Sequence, residues 1–132
     1  MLIDGKNAVL GRLSAYTAKE LLKGETVEIM NAKKIIIIGN PKKIVSDYLK
    51  RREIGSPHHG PFFPRNPEMI VRRAIRGMLP YKTKRGREAM KRLRVYSSEL
   101  ETKETAKSVA LKEVKTDYIT IEKLSKELGW NK

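Results

Sequence analysis

The residues best equipped to do chemistry lie between Arg72 and Arg94, RRAIRGMLPYKTKRGREAMKRLR. Ten of these 23 are basic: Arg72, Arg73, Arg76, Lys82, Lys84, Arg85, Arg87, Lys91, Arg92 and Arg94. Glu88 is the single acid among them. So much charge of one sign repels itself unless a polyanion compensates it. Arg is frequent within the stretch, and its planar fork of donors fits phosphate oxygens two at a time, so the chemistry expected is contact with a nucleic-acid backbone. The charge is also local. Residues 50–96 carry 14 basic and 3 acidic residues, against 8 and 5 in residues 1–49 and 7 of each in residues 97–132. The net charge of +14 therefore belongs to one region and is not a general solubility device. Arg51, Arg52 and Arg65, with His58 and His59 in the adjoining loop, extend the expected RNA-binding set.

Other chemistries lack their residues. Cysteine is absent, which removes disulfides, thiol catalysis and Cys-based metal sites. His58 and His59 are the only histidines, and two adjacent side chains without Cys make a poor metal site. No metal and no cofactor is expected. There is no Ser–His–Asp arrangement and no carboxylate pair at a strand end, so no enzyme and no small-molecule substrate is expected either. Gly39-Asn40-Pro41 joins a strand candidate to a helix start, the kind of corner that can hold phosphate. It lacks both the G-x-G-x-x-G pattern and the G-K-[ST] ending of a P-loop, so a structural turn is the simpler reading. A small nucleotide-binding α/β enzyme using this turn is the runner-up. A DNA-binding protein is a third reading, without a clear recognition helix or dimer interface.

The basic residues need rigid elements behind them. Asn66-Pro67-Glu68 places a capping Asn, a Pro at the first helical position and an acid in the first turn, and predicts a helix to about Leu79. At ~100° per residue, Arg72, Arg73 and Arg76 share one arc of that helix, and Ile70, Val71, Ala74, Ile75 and Met78 share the opposite one. Gly77 and Pro80 break it. Thr83 then caps a second helix, Lys84–Arg92, with Ala89, Met90 and Leu93 on one side and Arg87, Lys91 and Arg92 on the other. Val95 and Tyr96 follow as a last short strand. Two amphipathic helices thus hold a basic loop between them, a geometry suited to structured RNA, with backbone, 2′-OH and shape contributing.

Upstream, Met1–Asp4 reads as a strand followed by a turn. Leu10, Leu13, Thr17 and Leu21 repeat at helical spacing, with Gly24 as the stop. Thr26–Met30 and Lys34–Ile38 are strand candidates. The run Ile35–Ile38 has no alternation, which suits a strand covered on both faces in a parallel sheet. Asn40 and Pro41 open a helix over 41–52 whose buried side is Ile44, Val45, Tyr48 and Leu49. Residues 54–67 hold four of the six prolines and read as an ordered extended loop, with Phe62 and Phe63 either tucked into the core edge, the simpler reading, or stacking on bases. Downstream, Lys103–Lys115 alternates charge as an exposed helix or loose arm. Ile121, Leu124 and Leu128 form a short amphipathic helix stopped by Gly129, which docks on the domain or on a neighbouring protein.

At 132 residues and 39% hydrophobic content the chain suits one folded domain. We divide it into a core with a basic RNA-binding face, residues 1–96, and a C-terminal extension, residues 97–132. No apolar run approaches ~18 residues, and the N-terminus lacks a secretory layout, so no membrane contact and a cytoplasmic location are expected.

Arg76-Gly77-Met78-Leu79-Pro80, then Lys82-Thr83 and Lys84-Arg85-Gly86 through Ala89, resembles the signature of the universal large-subunit ribosomal protein L13 family. Gly11-Arg12-Leu13-Ser14, Asn31-Ala32, Ile38-Gly39-Asn40 and Arg92-Leu93-Arg94-Val95-Tyr96 agree in order, so the resemblance covers about residues 1–96. The short N-terminus and the Gly60-Pro61 loop look like the archaeal and eukaryotic branch. The resemblance implies a three-layer α/β/α fold with a mainly parallel four-stranded sheet. It implies a non-catalytic role, binding large-subunit rRNA and helping the subunit assemble, with neighbouring large-subunit ribosomal proteins as further partners. It places the family's RNA contacts on Arg76 and on Lys82 to Arg87.

Overall fold

A computed structural model of the chain describes residues 1–53, 64–100, 106–108 and 116–130. Its elements are β1 (Leu2–Asp4), α1 (Leu10–Leu22), β2 (Val27–Met30), β3 (Ile36–Ile38), α2 (Pro41–Glu53), α3 (Pro67–Arg76), α4 (Lys84–Lys91), β4 (Leu93–Val95), β5 (Lys107–Ser108), β6 (Tyr118–Thr120) and α5 (Ile121–Glu127). Four strands form a parallel sheet in the order β4-β2-β1-β5, giving the α/β architecture and parallel four-stranded sheet that the resemblance implied.

Register decides which side of the sheet is buried. Ile3 pairs with Ile29, Ile29 with Val95, and Val27 with Leu93. Partners directly across a sheet share a face, so these five apolar residues form one surface, and all are buried. Leu10, Leu13 and Leu21 of α1 and Ile70, Val71 and Ile75 of α3 complete the cluster over it. Helix α1 contacts both α3 and α4. The left-handed turn after β2 falls on Asn31 (φ 58°), a residue that tolerates this conformation, and its buried amide donates to Asp4 Oδ1 at 2.9 Å.

β3 departs from its sequence reading. It does not lie inside the parallel sheet but pairs antiparallel with β6, Ile36 opposite Thr120 and Ile38 opposite Tyr118. The run starts at Ile36 because Ala32–Lys34 close a 3-10 turn. Ile35 and Ile36 are buried, whereas Ile38 is 43% exposed, so the unbroken apolar run marks a strand leaving the core. Two buried-side assignments also fail. Leu49 on α2 is 40% exposed, whereas Ile44, Val45 and Tyr48 are partly buried and pack against the core as expected. Met78 is 46% exposed because α3 ends at Arg76, and the chain turns so that Leu79 is buried instead.

The segment after β4 contributes more structure than its charge pattern suggests. Val95 and Tyr96 are not the last strand, since β5 and β6 follow. Within the stretch read as a helix or loose arm, Lys107 and Ser108 are a strand beside β1, and Lys107 donates to the Tyr16 hydroxyl. The C-terminal helix docks on the domain: Ile119, Ile121, Leu124 and Leu128 belong to the same cluster as the sheet face. It ends in a Schellman motif, with Gly129 (φ 102°) donating to Lys126 and Trp130 to Ser125. Helices α2 and α5 both pack against β6. Among the described residues no helix is long and apolar enough to cross a membrane.

Candidate nucleic-acid interface

Helix α3 begins as its sequence predicts. The Asn66 side chain accepts from the Glu68 amide at 2.9 Å, and Pro67 takes the first position. Glu68 Oε1 in turn accepts from both the amide and the hydroxyl of Ser97, each at 3.0 Å. This pins the start of α3 to the chain leaving β4. One side of α3 is then buried through Ile70, Val71 and Ile75, while Arg72 and Arg73 are half-covered and Arg76 is exposed.

The connection between α3 and α4 is held by its own hydrogen bonds. The Gly77, Met78 and Leu79 amides donate to Arg73, Ile75 and Arg76 at 3.0–3.1 Å. The Thr83 amide and hydroxyl both donate to the Pro80 carbonyl, at 3.0 and 2.7 Å, and the hydroxyl accepts from the Gly86 amide at 3.2 Å. Thr83 is thus the cap of α4 that the sequence indicated. Gly86 lies against this turn so closely that a methyl group there would sit 2.0 Å from the Pro80 carbonyl oxygen. No other residue fits that approach without moving the backbone.

The structure divides the ten basic residues by what they already hold. Four donate to main-chain carbonyls: Arg72 to Leu93 at 3.0 Å, Arg85 to Leu22 at 3.2 Å, Arg92 to Leu21 at 2.6 Å, and Arg94 to Leu93 and Lys91 at 3.1 and 3.3 Å. Arg76 stacks its guanidinium 4.3 Å from the centre of the Tyr81 ring. Lys82, Lys84, Arg87 and Lys91 are exposed, and their side chains form no hydrogen bond or ion pair among the described residues. Ion pairs among those residues join only Lys23 to Glu20 and Lys126 to Glu122, so Glu88 neutralises none of the stretch.

This corrects the picture of one solvent face carrying Arg72, Arg73 and Arg76 alike. Arg72 reaches back to β4, and Arg92, expected on the outer side of α4, reaches back to α1. A guanidinium has five N–H donors, so an arginine making one or two internal bonds still adds field and further donors to the surface. Three of the cations without internal work, Lys82, Lys84 and Arg87, lie at the start of α4, where positive charge opposes the helix dipole, and Lys91 lies in its last turn. Among the described residues no carboxylate forms an ion pair with them.

The remaining expected site residues lie apart. Arg51 is exposed on α2, 4.9 Å over the Tyr48 ring. Arg65 is exposed just before α3, with its carbonyl accepting from the buried Ser125 hydroxyl. His58, His59, Phe62, Phe63 and the Arg52 side chain fall outside the described residues. Tyr81 is absent from the set read from charge, yet it sits among the unengaged cations and is 37% exposed. The only hint of it in the sequence is an aromatic between Pro80 and Lys82.

The Gly39 turn is already occupied. The Gly39 amide donates to the Asp117 carbonyl at 2.8 Å, and Asn40 Oδ1 accepts from the Lys42 amide at 3.0 Å. Two of the main-chain donors that could cradle a nucleotide phosphate, the Gly39 and Lys42 amides, are thus spent on the residue before β6 and on the α2 cap.

Comparison with known proteins agrees with the interface. A family model described as Ribosomal protein L13 matches residues 1–102. The chain is 44% identical to large ribosomal subunit protein uL13 of Methanopyrus kandleri, covering 98% of this chain and 86% of that one. It is 47% identical to the uL13 of Thermoplasma volcanium, over 97% of both chains. The uL13 of Methanocaldococcus jannaschii is 43% identical, over 97% of this chain and 96% of its own.

Proposed function

Because the chain belongs to the ribosomal protein L13 family, we propose that it is a structural constituent of the large ribosomal subunit, binding large-subunit rRNA and supporting subunit assembly in the cytoplasm. The observation that carries this is the cluster Lys82, Lys84, Arg87 and Lys91, exposed on a hydrogen-bonded scaffold with no internal carboxylate partner. A polyanion supplies the missing counter-charge. Those four, with Arg73 and Arg76, are the direct phosphate contacts. Arg72, Arg85, Arg92 and Arg94 brace the surface and add to its field, and Arg51, Arg52, Arg65, His58 and His59 flank it. The role needs no catalysis, cofactor or small-molecule substrate; its other partners are neighbouring proteins of the subunit. Residues 1–96 carry the basic face, while the extension 97–132 lends its helix to the core behind it.

Titration of large-subunit rRNA with the protein at increasing salt tests the reading. Each phosphate neutralised on a duplex contributes about −0.9 to the slope of log affinity against log salt, so the four unengaged cations alone predict about −3 to −4. Binding indifferent to salt overturns the proposal.

A further inference from the structure

Beside Tyr81 lies a hollow of about 410 Å³, lined by Arg76, Tyr81, Arg87, Met90 and Lys91. We propose that it receives the base of one unpaired RNA nucleotide, stacked at the Arg76–Tyr81 pair, with the adjoining phosphates held by Arg87 and Lys91. The inference rests on the rRNA-binding reading and sharpens it from backbone contact to a nucleotide subsite.

Four observations carry it. The volume lies in the range of small-ligand pockets, about 300–1,000 Å³. The lining joins apolar and aromatic surface to three cations and contains no acid, which matches a flat base attached to phosphate rather than an apolar or acidic side chain alone. The Tyr81 hydroxyl has no hydrogen bond, so no polar partner of the fold accounts for holding this ring at the surface. The ring is nevertheless held, since Arg76 lies 4.3 Å from its centre and the Tyr81 amide is bonded to Leu79 at 2.8 Å. Aromatic rings and guanidinium planes are the two surfaces on which splayed RNA bases stack. Bases inside a duplex are covered by their neighbours, so the occupant is an unpaired one. Met90, a half-buried residue of the lining, is an unbranched and polarizable side chain that adapts to any of the four bases.

The test compares the wild type with Tyr81→Phe, Tyr81→Ala and Lys84→Ala on large-subunit rRNA. Affinity is measured across salt, and reagents that modify the Watson–Crick edges of all four bases read protection. Wild type and Tyr81→Phe are expected to protect one unpaired base. Tyr81→Ala should lose that protection and bind about tenfold more weakly with an unchanged salt slope. Lys84→Ala should keep the protection and lower the slope by about one. If Tyr81→Ala retains both affinity and protection, or if only paired bases are protected, the subsite is wrong while rRNA binding stands. Failure of the wild type to bind rRNA overturns both readings. Ultraviolet crosslinking of the wild type checks the same point without a variant: an adduct at Tyr81 or Met90 to an unpaired nucleotide is expected, and adducts only elsewhere overturn the proposal.

Discussion

Arg85 and Arg92 reach from α4 and the residue after it to the last carbonyls of α1, where a helix leaves four acceptors without backbone donors. The Lys23, Gly24 and Glu25 amides serve Lys19, Glu20 and Leu21. Arg85 supplies the Leu22 carbonyl, and Arg92 adds a second bond at Leu21. Positive charge at a helix C-terminus is favourable in its own right. These arginines therefore join the RNA-facing helix to the core, and their contribution differs from that of Arg87, whose side chain forms no hydrogen bond or ion pair among the described residues. Arg92→Ala is expected to cost about 1–2 kcal/mol of stability. Arg87→Ala should stay within about 0.5 kcal/mol of wild type and lower the salt slope of rRNA binding by about one. Urea unfolding alongside salt titration separates the two, and equal destabilisation would refute the division. By the same logic Arg72→Ala is not a neutral surface change, because its bond to the Leu93 carbonyl is lost.

Helix α4 has eight residues and a single fully buried side chain beyond glycine, Ala89. So short a helix is marginal unless its ends are fixed and its packing is close. Thr83 fixes one end, and the contact between Gly86 and the Pro80 carbonyl supplies close packing against the preceding turn. Gly86→Ala forces a methyl into that carbonyl, so α4 must shift outward. The expected loss is about 1–3 kcal/mol, the usual range for overpacking, with weaker rRNA binding because Arg87 and Lys91 move with the helix. A variant that unfolds at the wild-type urea midpoint would show the turn to be slack. Helix α3 is fixed differently. Its cap at Asn66 and its tie to Ser97 set the axis, and the axis sets where Arg73 and Arg76 emerge.

Across the whole molecule, the RNA-binding charge is confined to the middle of the chain, whereas the core draws on its whole length. The excess positive charge lies in residues 50–96, but Ile119, Ile121, Leu124 and Leu128 near the C-terminus are buried with Ile70, Val71 and Ile75 behind it. Full burial of such a side chain contributes about 1.5–3 kcal/mol. Four of them match the total stability of an ordinary domain, about 5–15 kcal/mol. Deleting residues 118–132 is therefore expected to abolish cooperative unfolding and, through it, rRNA binding. Circular dichroism melting checks this, and a truncated chain that melts like the full one would show that α5 is dispensable to the core.

The functional class was open to a reader of residues alone, for reasons of chemistry. Charge of one sign concentrated in 72–94 is a property of composition, helical phasing separated its apolar side, and local caps at Asn66 and Thr83 are written in adjacent residues. Asn66-Pro67 and Thr83 act within one turn of chain, so no distant contact can overrule them. What tertiary structure decided depends on residues far apart in sequence. Ile38 is exposed because β6, some eighty residues later, pairs with it antiparallel at the edge of the core. Met78 is exposed and Leu79 buried because α3 ends at Arg76 and the chain turns before Pro80. Arg72, Arg85, Arg92 and Arg94 look like Lys82, Lys84, Arg87 and Lys91 in the sequence, since all carry the same charge. They differ because main-chain carbonyls of α1, α4 and β4 accept from the first four side chains and not from the others.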